Sequence, residues 1–388
     1  MCSSNPLSNE NYRCDNPAIH WETLARHGYN RALAVRYFVG GRSIMVRWSL
    51  VFVLVMSVSN IRAENSSTHS VGSAMAVAAG NFLASLNPDE RAKATMKFDD
   101  PDRLDWHNIP KPARKGLKVG DMSVEQRKLC HELLKVSLSE VGYDKAVKIM
   151  ALENNLREGE KGQIGTPLRD PDRYFLTIFG TPSDEGLWGW SFEGHHFSLN
   201  FVVKEGEVIS STPSFWGCNP ATVHLFIEGG PEKGTRTLAK EEQLAFDLVN
   251  SLNESQRQRA LIAAKAPADY RDPGKPKLDA GSPQGLIAAD MTPEQKKTLW
   301  ELLEAYSNNL AEPVAKAQLD DVKSHKLDNV YFAWAGSTKP GVGHYYRVQG
   351  PSFSLELVNI QSDPAGNPAN HIHSVWRSLT HDFGVSAN

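Results

Sequence analysis

The chain has 388 residues, of which 40% are hydrophobic and 22% charged, with a formal net charge of −3. That length and balance suit one large domain or two ordinary ones with a sizeable core, and exclude collagen, a coiled coil and wholesale disorder. Residues 1–63 hold 7 Lys+Arg and 3 Asp+Glu, leaving 35 and 42 for residues 64–388, a formal charge of −7. That mildly acidic remainder argues against a nucleic-acid partner, which favours basic patches.

Residues 1–63 read as an atypical leader. Met45-Val46-Arg47-Trp48-Ser49, a mostly apolar run from Leu50 to Val58, Ile61-Arg62-Ala63 and polar Glu64-Asn65-Ser66-Ser67 follow one another. A basic start, a short apolar centre and a small residue at the end are the parts of a secretory signal peptide, placed at 45–63. The run is shorter than the roughly 20 residues of a membrane helix. The expectation is a secreted or periplasmic protein with no membrane attachment after cleavage; a buried strand or an anchor helix are the other readings of the run. Met45 is then a candidate start. Cys2 and Cys14 fall in the leader, which leaves Cys130 and Cys218. Export permits a disulfide between them, but their spacing does not say whether they meet. No CxxC pair occurs, which disfavours a zinc ribbon or a thioredoxin-type site.

After the leader, Ala74–Leu86 predicts a helix, followed by a stretch rich in Pro, Gly and charge. Ser123 with Gln126 three residues on is a capping box, and Leu129, Leu133, Leu134 and Val136 recur at helical spacing. β-branched and aromatic residues predict a strand at Tyr174–Phe179. Leu187–Phe192 and Phe197–Val203 flank a Glu193-Gly194 turn and read as a hairpin. The segment from Thr212 to Ala221 mixes turn-forming and aromatic residues, as an ordered loop over a pocket would. The same order then returns. Lys240–Ala264 predicts a helix, Thr292 with Gln295 a second capping box, and Leu299, Leu302, Leu303 and Tyr306 a helical face. Val330–Ala335 predicts a strand, and Gly343–Val348 and Phe353–Val358 flank Gln349-Gly350 as a hairpin.

The recurrence reaches residue identity. Ser85-Leu86-Asn87 and Arg91–Ala94 reappear as Ser251-Leu252-Asn253 and Arg257–Ala260. Gly116-Leu117 with Asp121–Lys128 return as Gly285-Leu286 with Asp290–Lys297. Gly194 and Phe197-Ser198-Leu199 match Gly350 and Phe353-Ser354-Leu355. Three matches in one order predict an α+β fold: two tandem repeats of helices plus antiparallel meander strands, packed face to face about a pseudo-two-fold axis. Residues 64–239 form repeat one plus a connecting loop, and 240–388 form repeat two plus a His-rich tail.

The copies differ in polar decoration. His195-His196 stands where copy two has Pro351-Ser352, His344 where copy one has Trp188, and Glu356 where copy one has Asn200. Two like scaffolds with unlike polar positions suggest one composite site. Alternation puts His195 with Phe197, Leu199 and Phe201, and His196 with Ser198 and Asn200. Ser352, Ser354, Glu356 and Val358 lie opposite Phe353, Leu355 and Leu357. In the tail, His371 and His373 point the same way, about 7 Å apart along an extended chain. That suits two imidazoles on one metal, each nitrogen about 2.0–2.1 Å from the ion. His196, His195 or His344 is the candidate third ligand, with Glu356 as an oxygen donor. Zinc, iron, manganese and copper all accept such a set, so the expected cofactor is a divalent metal ion of open identity.

Arg347 and Arg377 are candidates to clamp an anionic group of a small-molecule substrate. With Glu356 they form the expected catalytic set of a metal-dependent hydrolase. Plainer readings stand beside these: a His-x-His pair hydrogen-bonded in a buried layer, and arginines paired with Glu356 or Asp382. Trp188, Trp190 and Trp216 are core residues on one reading. On another they hold a sugar, making the protein a non-catalytic, glycan-type binding module with no metal. Asp184, Glu185 and Glu193 read as solvated loop acids, and His131 and His325 as surface residues. No GxGxxG, P-loop, GxSxG or HExxH motif occurs.

Several of these segments are familiar together. Glu193-Gly194-His195-His196-Phe197-Ser198-Leu199-Asn200, Trp188-Gly189-Trp190, Thr212-Pro213-Ser214-Phe215, Asn219-Pro220-Ala221, Tyr346-Arg347-Val348-Gln349-Gly350-Pro351 and Asn370-His371-Ile372-His373 with Trp376-Arg377 resemble the DUF3500 family, over about residues 76–385. The resemblance brings no reaction with it. It implies that the Gly-His-His and His-Ile-His segments belong together. The family pattern after the arginine runs through Asp-Pro to Asn-Asp-Tyr-Gly. Here it reads Ser378-Leu379-Thr380-His381-Asp382-Phe383-Gly384, so the first acid is missing while Asp382 is in place.

Overall fold

The computed structural model describes residues 67–163 and 165–385; the signal-peptide reading at 45–63 lies outside them. Eight helices are described: α1 (Ser67–Ala84), α2 (Pro88–Ala94), α3 (Val124–Ser137), α4 (Glu140–Gly159), α5 (Ala239–Ser251), α6 (Glu254–Ala260), α7 (Pro293–Ser307) and α8 (Glu312–Ser324). Both expected capping boxes form. The Ser123 hydroxyl accepts from the Gln126 N–H while the Gln126 side chain takes the Ser123 N–H, and Thr292 and Gln295 do the same. Asn87 and Asn253 make two more, with Glu90 and Gln256. The Asn253 box corrects one expectation. It starts a new helix, so Lys240–Ala264 is not continuous but splits into α5, α6 and a short strand. None of the described helices is long and apolar enough to cross a membrane.

Thirteen strands form one mixed sheet: β1 (Thr95–Met96), β2 (Leu117–Lys118), β3 (Phe175–Phe179), β4 (Leu187–Gly194), β5 (Phe197–Lys204), β6 (Glu207–Ser210), β7 (Ser214–Cys218), β8 (Leu261–Ala263), β9 (Leu286–Ile287), β10 (Tyr331–Gly336), β11 (His344–Gln349), β12 (Phe353–Asn359) and β13 (Ile372–Ser378). Their order is β1-β3-β4-β5-β7-β13-β12-β11-β10-β8, with β2 on β3, β6 on β5 and β9 on β10. The β1–β3 and β8–β10 pairs are parallel and the others antiparallel. Two expectations change here. The segment read as a loop over a pocket contains β7, a buried central strand. The two meanders do not stack face to face: β7 and β13 pair side by side and carry one sheet through both.

Register sorts the side chains. One face carries Ile178, Trp190 and Phe201 in a row, and further on Phe332, Tyr346 and Leu357; these pack with helix residues such as Phe82, Leu133, Phe246 and Leu302 into the main core. Trp188 and Trp216 are buried in the same core, so the tryptophans present no open stacking surface. The opposite face is polar, with Thr177, Ser191 and Asn200 in one row and Arg347 and Glu356 in another. It is buried too, because the stretches before β2 and after β8 lie across it. Trp106 and Tyr270 from those stretches cluster with Phe215 and Val375 of the sheet. Glu193 is therefore not a solvated acid: it is buried, with Lys115 at 2.7 Å and Arg114 at 3.6 Å. A carboxylate out of water needs such partners. Cys130 and Cys218 are buried and free.

Candidate metal centre

The β4–β5 hairpin closes through a two-residue loop, and that loop is His195-His196. His196 has φ 62, a left-handed setting uncommon for a residue with a side chain. Its surroundings fix it there. Its N–H donates to the Asn108 carbonyl at 2.9 Å, its carbonyl accepts from the Gly217 N–H at 2.8 Å, and the Tyr174 hydroxyl donates to the His195 carbonyl at 2.6 Å. Gly194 leaves room for the Tyr174 ring, which a Cβ would meet at 2.2 Å. Gly217 does the same for His196: a Cβ there would sit 3.2 Å from the imidazole Cδ2 and 2.8 Å from the Ile372 carbonyl.

Gly217 lies opposite His373 in the β7–β13 ladder, so the hairpin loop and the start of β13 meet at this point. His196 Nε2 is 2.8 Å from His371 Nε2. The ring centroids of His371 and His373 are 4.7 Å apart, and those of His196 and His373 are 5.3 Å apart. One ligating atom from each of the three lies within 4.8 Å of the others. Nitrogens about 2.0–2.1 Å from a tetrahedral ion stand about 3.4 Å apart, so small ring movements bring these three onto one ion.

The outer partners suit that role. Asp269 Oδ1 is 2.9 Å from His373 Nδ1, the carboxylate–histidine arrangement that orients a metal ligand and leaves Nε2 to the ion. The Asn219 amide faces His371 Nδ1 at 3.3 Å, and its Oδ1 is buried without a partner. Turning that amide over lets Oδ1 accept from Nδ1–H and gives the Nε2 lone pair to an ion. Asn359 Oδ1 holds the His371 N–H at 3.0 Å, and Asn359 donates in turn to Glu242 at 2.8 Å. Burial favours the neutral form of His195, His196 and His371, the form that ligation requires. It drives His195 and His196 well below the ordinary histidine range and His371 down to about 3, with neighbouring cationic groups adding to the effect.

A second group, Glu153, His195 and His196, also brings its ligating atoms within 4.8 Å. It suits an ion less well. Arg169, gripped on both sides by Glu160, puts a guanidinium nitrogen 3.1 Å from His195 Nδ1. Burial pushes the Glu153 carboxyl up to about 8 despite Arg169. A protonated Glu153 donates to His195 Nδ1, which leaves the His195 proton on Nε2 and no lone pair for a metal. Beside this pair is a cleft of about 10 Å³, bordered by Arg114, Asp170 and Arg173, with room for a water molecule.

The other expected site residues lie elsewhere. His344 is stacked on Trp334 in the helix-side core, 3.3 Å from Glu242. Glu356 is held by Arg271 at 2.8 Å and by the Tyr345 hydroxyl at 2.8 Å under the covering segments. Neither belongs to a ligating group among the described residues. Arg347 bonds Gln284 at 3.3 Å. Arg377 is paired with Asp382 and lies over the Trp106 ring, the plainer of its two readings. The sequence reading missed Glu153, Asp269, Asn219 and Arg169. Glu153 alone left a sign: it falls among Ile149, Met150 and Leu156 on the buried stripe of α4, where a carboxylate is out of place.

A family model described as "Protein of unknown function (DUF3500)" matches residues 68–385. No curated protein and no solved structure matches the chain.

Proposed function

The chain belongs to the DUF3500 family, and since that membership brings no reaction with it, we propose a function from the site: an exported metal-dependent enzyme, a hydrolase acting on a small molecule. The observation that carries the reading is the convergence of His196, His371 and His373, three imidazoles with Asp269 behind one of them. Three histidines would hold a tetrahedral ion and leave its fourth position to water or substrate. A bound divalent ion would supply Lewis acidity and a water activated at neutral pH. Asp269 and Asn219 set the ring orientations of His373 and His371. Glu153 and His195 lie together beside the cleft and would serve as a proton donor and acceptor pair. Hydrolysis needs no further redox partner and is preferred on that ground. Arg347, Arg377, Glu356 and His344 have no part in this reading.

Two further parts support it. Residues 45–63 read as an export signal, which would give a secreted or periplasmic site of action. The strand orders β1-β3-β4-β5-β7 and β8-β10-β11-β12-β13, meeting at β7 and β13, favour two copies of one unit about a pseudo-two-fold axis. The site would then be built where the copies join.

The test is elemental analysis of the mature protein purified without chelators. About one equivalent of a transition metal is expected, and His371→Ala and His373→Ala should each abolish it. A wild-type content below about a tenth of an equivalent, unchanged on adding zinc, manganese, iron or copper, ends the metal reading.

A further inference from the structure

We propose that a second cleft, at the far end of β7 and β13 from the histidines, binds a neutral polyhydroxylated ring, one pyranose unit of a sugar. The cleft holds about 220 Å³ and is lined by the β6–β7 connection, α8, the start of β12, the end of β13 and the turn after it. His371 and Ser378 are seven residues apart along extended chain, about 23 Å, so this site is independent of the metal centre.

Size sets the first limit. Sites for drug-sized ligands run to roughly 300–1,000 Å³, so this one takes a single ring and not a nucleotide or a peptide. Charge sets the second. No lysine or arginine lines the cleft, and Asp321 is the carboxylate on its wall. Phosphates and carboxylates are therefore repelled.

The lining chooses among neutral ligands. Ile209, 39% exposed, with Val314 and Ala317 forms an apolar floor against which the C–H face of a ring can lie, with the buried Phe353 and Trp376 behind it. Around that floor stand the hydroxyls of Ser211 and Thr380, the Gln318 amide, the Asp321 carboxylate and the His381 imidazole. Gln318 Oε1 accepts from the Ser307 hydroxyl at 2.7 Å, which leaves its amide hydrogens to donate. Asp321 is about half exposed: Oδ2 takes the Ser352 hydroxyl, and Oδ1 has His325 at 3.5 Å. An amide that donates beside a carboxylate that accepts matches two neighbouring hydroxyls of a sugar. This cleft needs none of the buried tryptophans Trp188, Trp190 and Trp216.

The test uses the full chain in two arms: free neutral hexoses, followed by saturation-transfer NMR and calorimetry, and neutral oligosaccharides immobilised on a surface. Uronic acids and hexose phosphates are the controls. Binding of a neutral sugar with a Kd of about 1 mM or tighter is expected, weakened at least tenfold by Asp321→Ala and by Gln318→Ala. Binding of free hexoses identifies a soluble sugar, and binding only to immobilised chains identifies the end residue of a glycan. Both support the site. Asp321 is exposed and Gln318 half-buried, and unchanged unfolding midpoints and metal content show that the variants are intact. The proposal is overturned if neither arm binds at about 10 mM, if the anionic controls bind better, or if both variants bind as the wild type does.

Discussion

His196 occupies a left-handed backbone setting that costs a residue with a Cβ about 1–2 kcal/mol. A residue kept at such a cost by hydrogen bonds on both sides is a functional candidate, and the turn separates its backbone from its imidazole. His196→Asn, which tolerates that setting, should leave the unfolding midpoint nearly unchanged while removing the bound metal. His196→Ala, which keeps a Cβ in the same setting, should also lose the metal. If His196→Asn still bound a full equivalent, the imidazole would not be a ligand. Asp269→Asn keeps the hydrogen bond but not the charge, and should weaken metal affinity about 10–100-fold in competition with a chelator. The histidines were legible in the sequence because each pair is adjacent or two apart. Glu153 and Asp269 meet their partners across 42 and 104 residues, a distance at which no local pattern connects them.

Elements set how finely that geometry is held. β7 can pass beneath the imidazole only because Gly217 has no side chain. Gly217→Ala would bring a methyl to 2.8 Å from a backbone oxygen. It should cost about 1–3 kcal/mol in denaturant unfolding, with a weaker metal affinity as the ring is displaced. The capping boxes offer a contrast. Ser123→Ala and Thr292→Ala should each cost about 1 kcal/mol and leave the metal in place. Helix starts and hairpins were readable because their signals are local: a cap, a glycine, an alternation. β7 was not, since Pro213, Gly217, Asn219 and Pro220 surround its few strand-forming residues, and only pairing with β13 on one side and β5 on the other makes it a strand.

For the whole molecule, the α+β character and strand sequence followed from the pattern of predicted elements. The way the meanders join did not, because side-by-side pairing and stacking bury the same alternating residues. A buried ionic network ties the helix layer to this sheet. Burial works against the Glu242 charge, yet the nearby His344 and hydrogen bonds from Asn359 and Arg236 outweigh it and hold the carboxyl at about 2, below its ordinary 4.5. A carboxyl with a depressed folded pKa binds fewer protons folded than unfolded. Its stabilisation is therefore complete above about pH 4.5 and is lost as the pH falls towards 2. Denaturant midpoints measured at pH 5, 3.5 and 2.5 should fall less steeply in Glu242→Gln than in the wild type. Parallel curves would show that the group does not carry this acid sensitivity.

The pairing of β7 with β13 has a consequence for biosynthesis. His371 leaves the ribosome 175 residues after His196, and His373 two residues later, long after the hairpin that supplies the first imidazole. A nascent chain halted before residue 370 has no complete cage for an ion, however well its first strands have folded. Loading would thus wait for β13 to emerge and pair with β7, and the ion would mark chains in which that strand has docked.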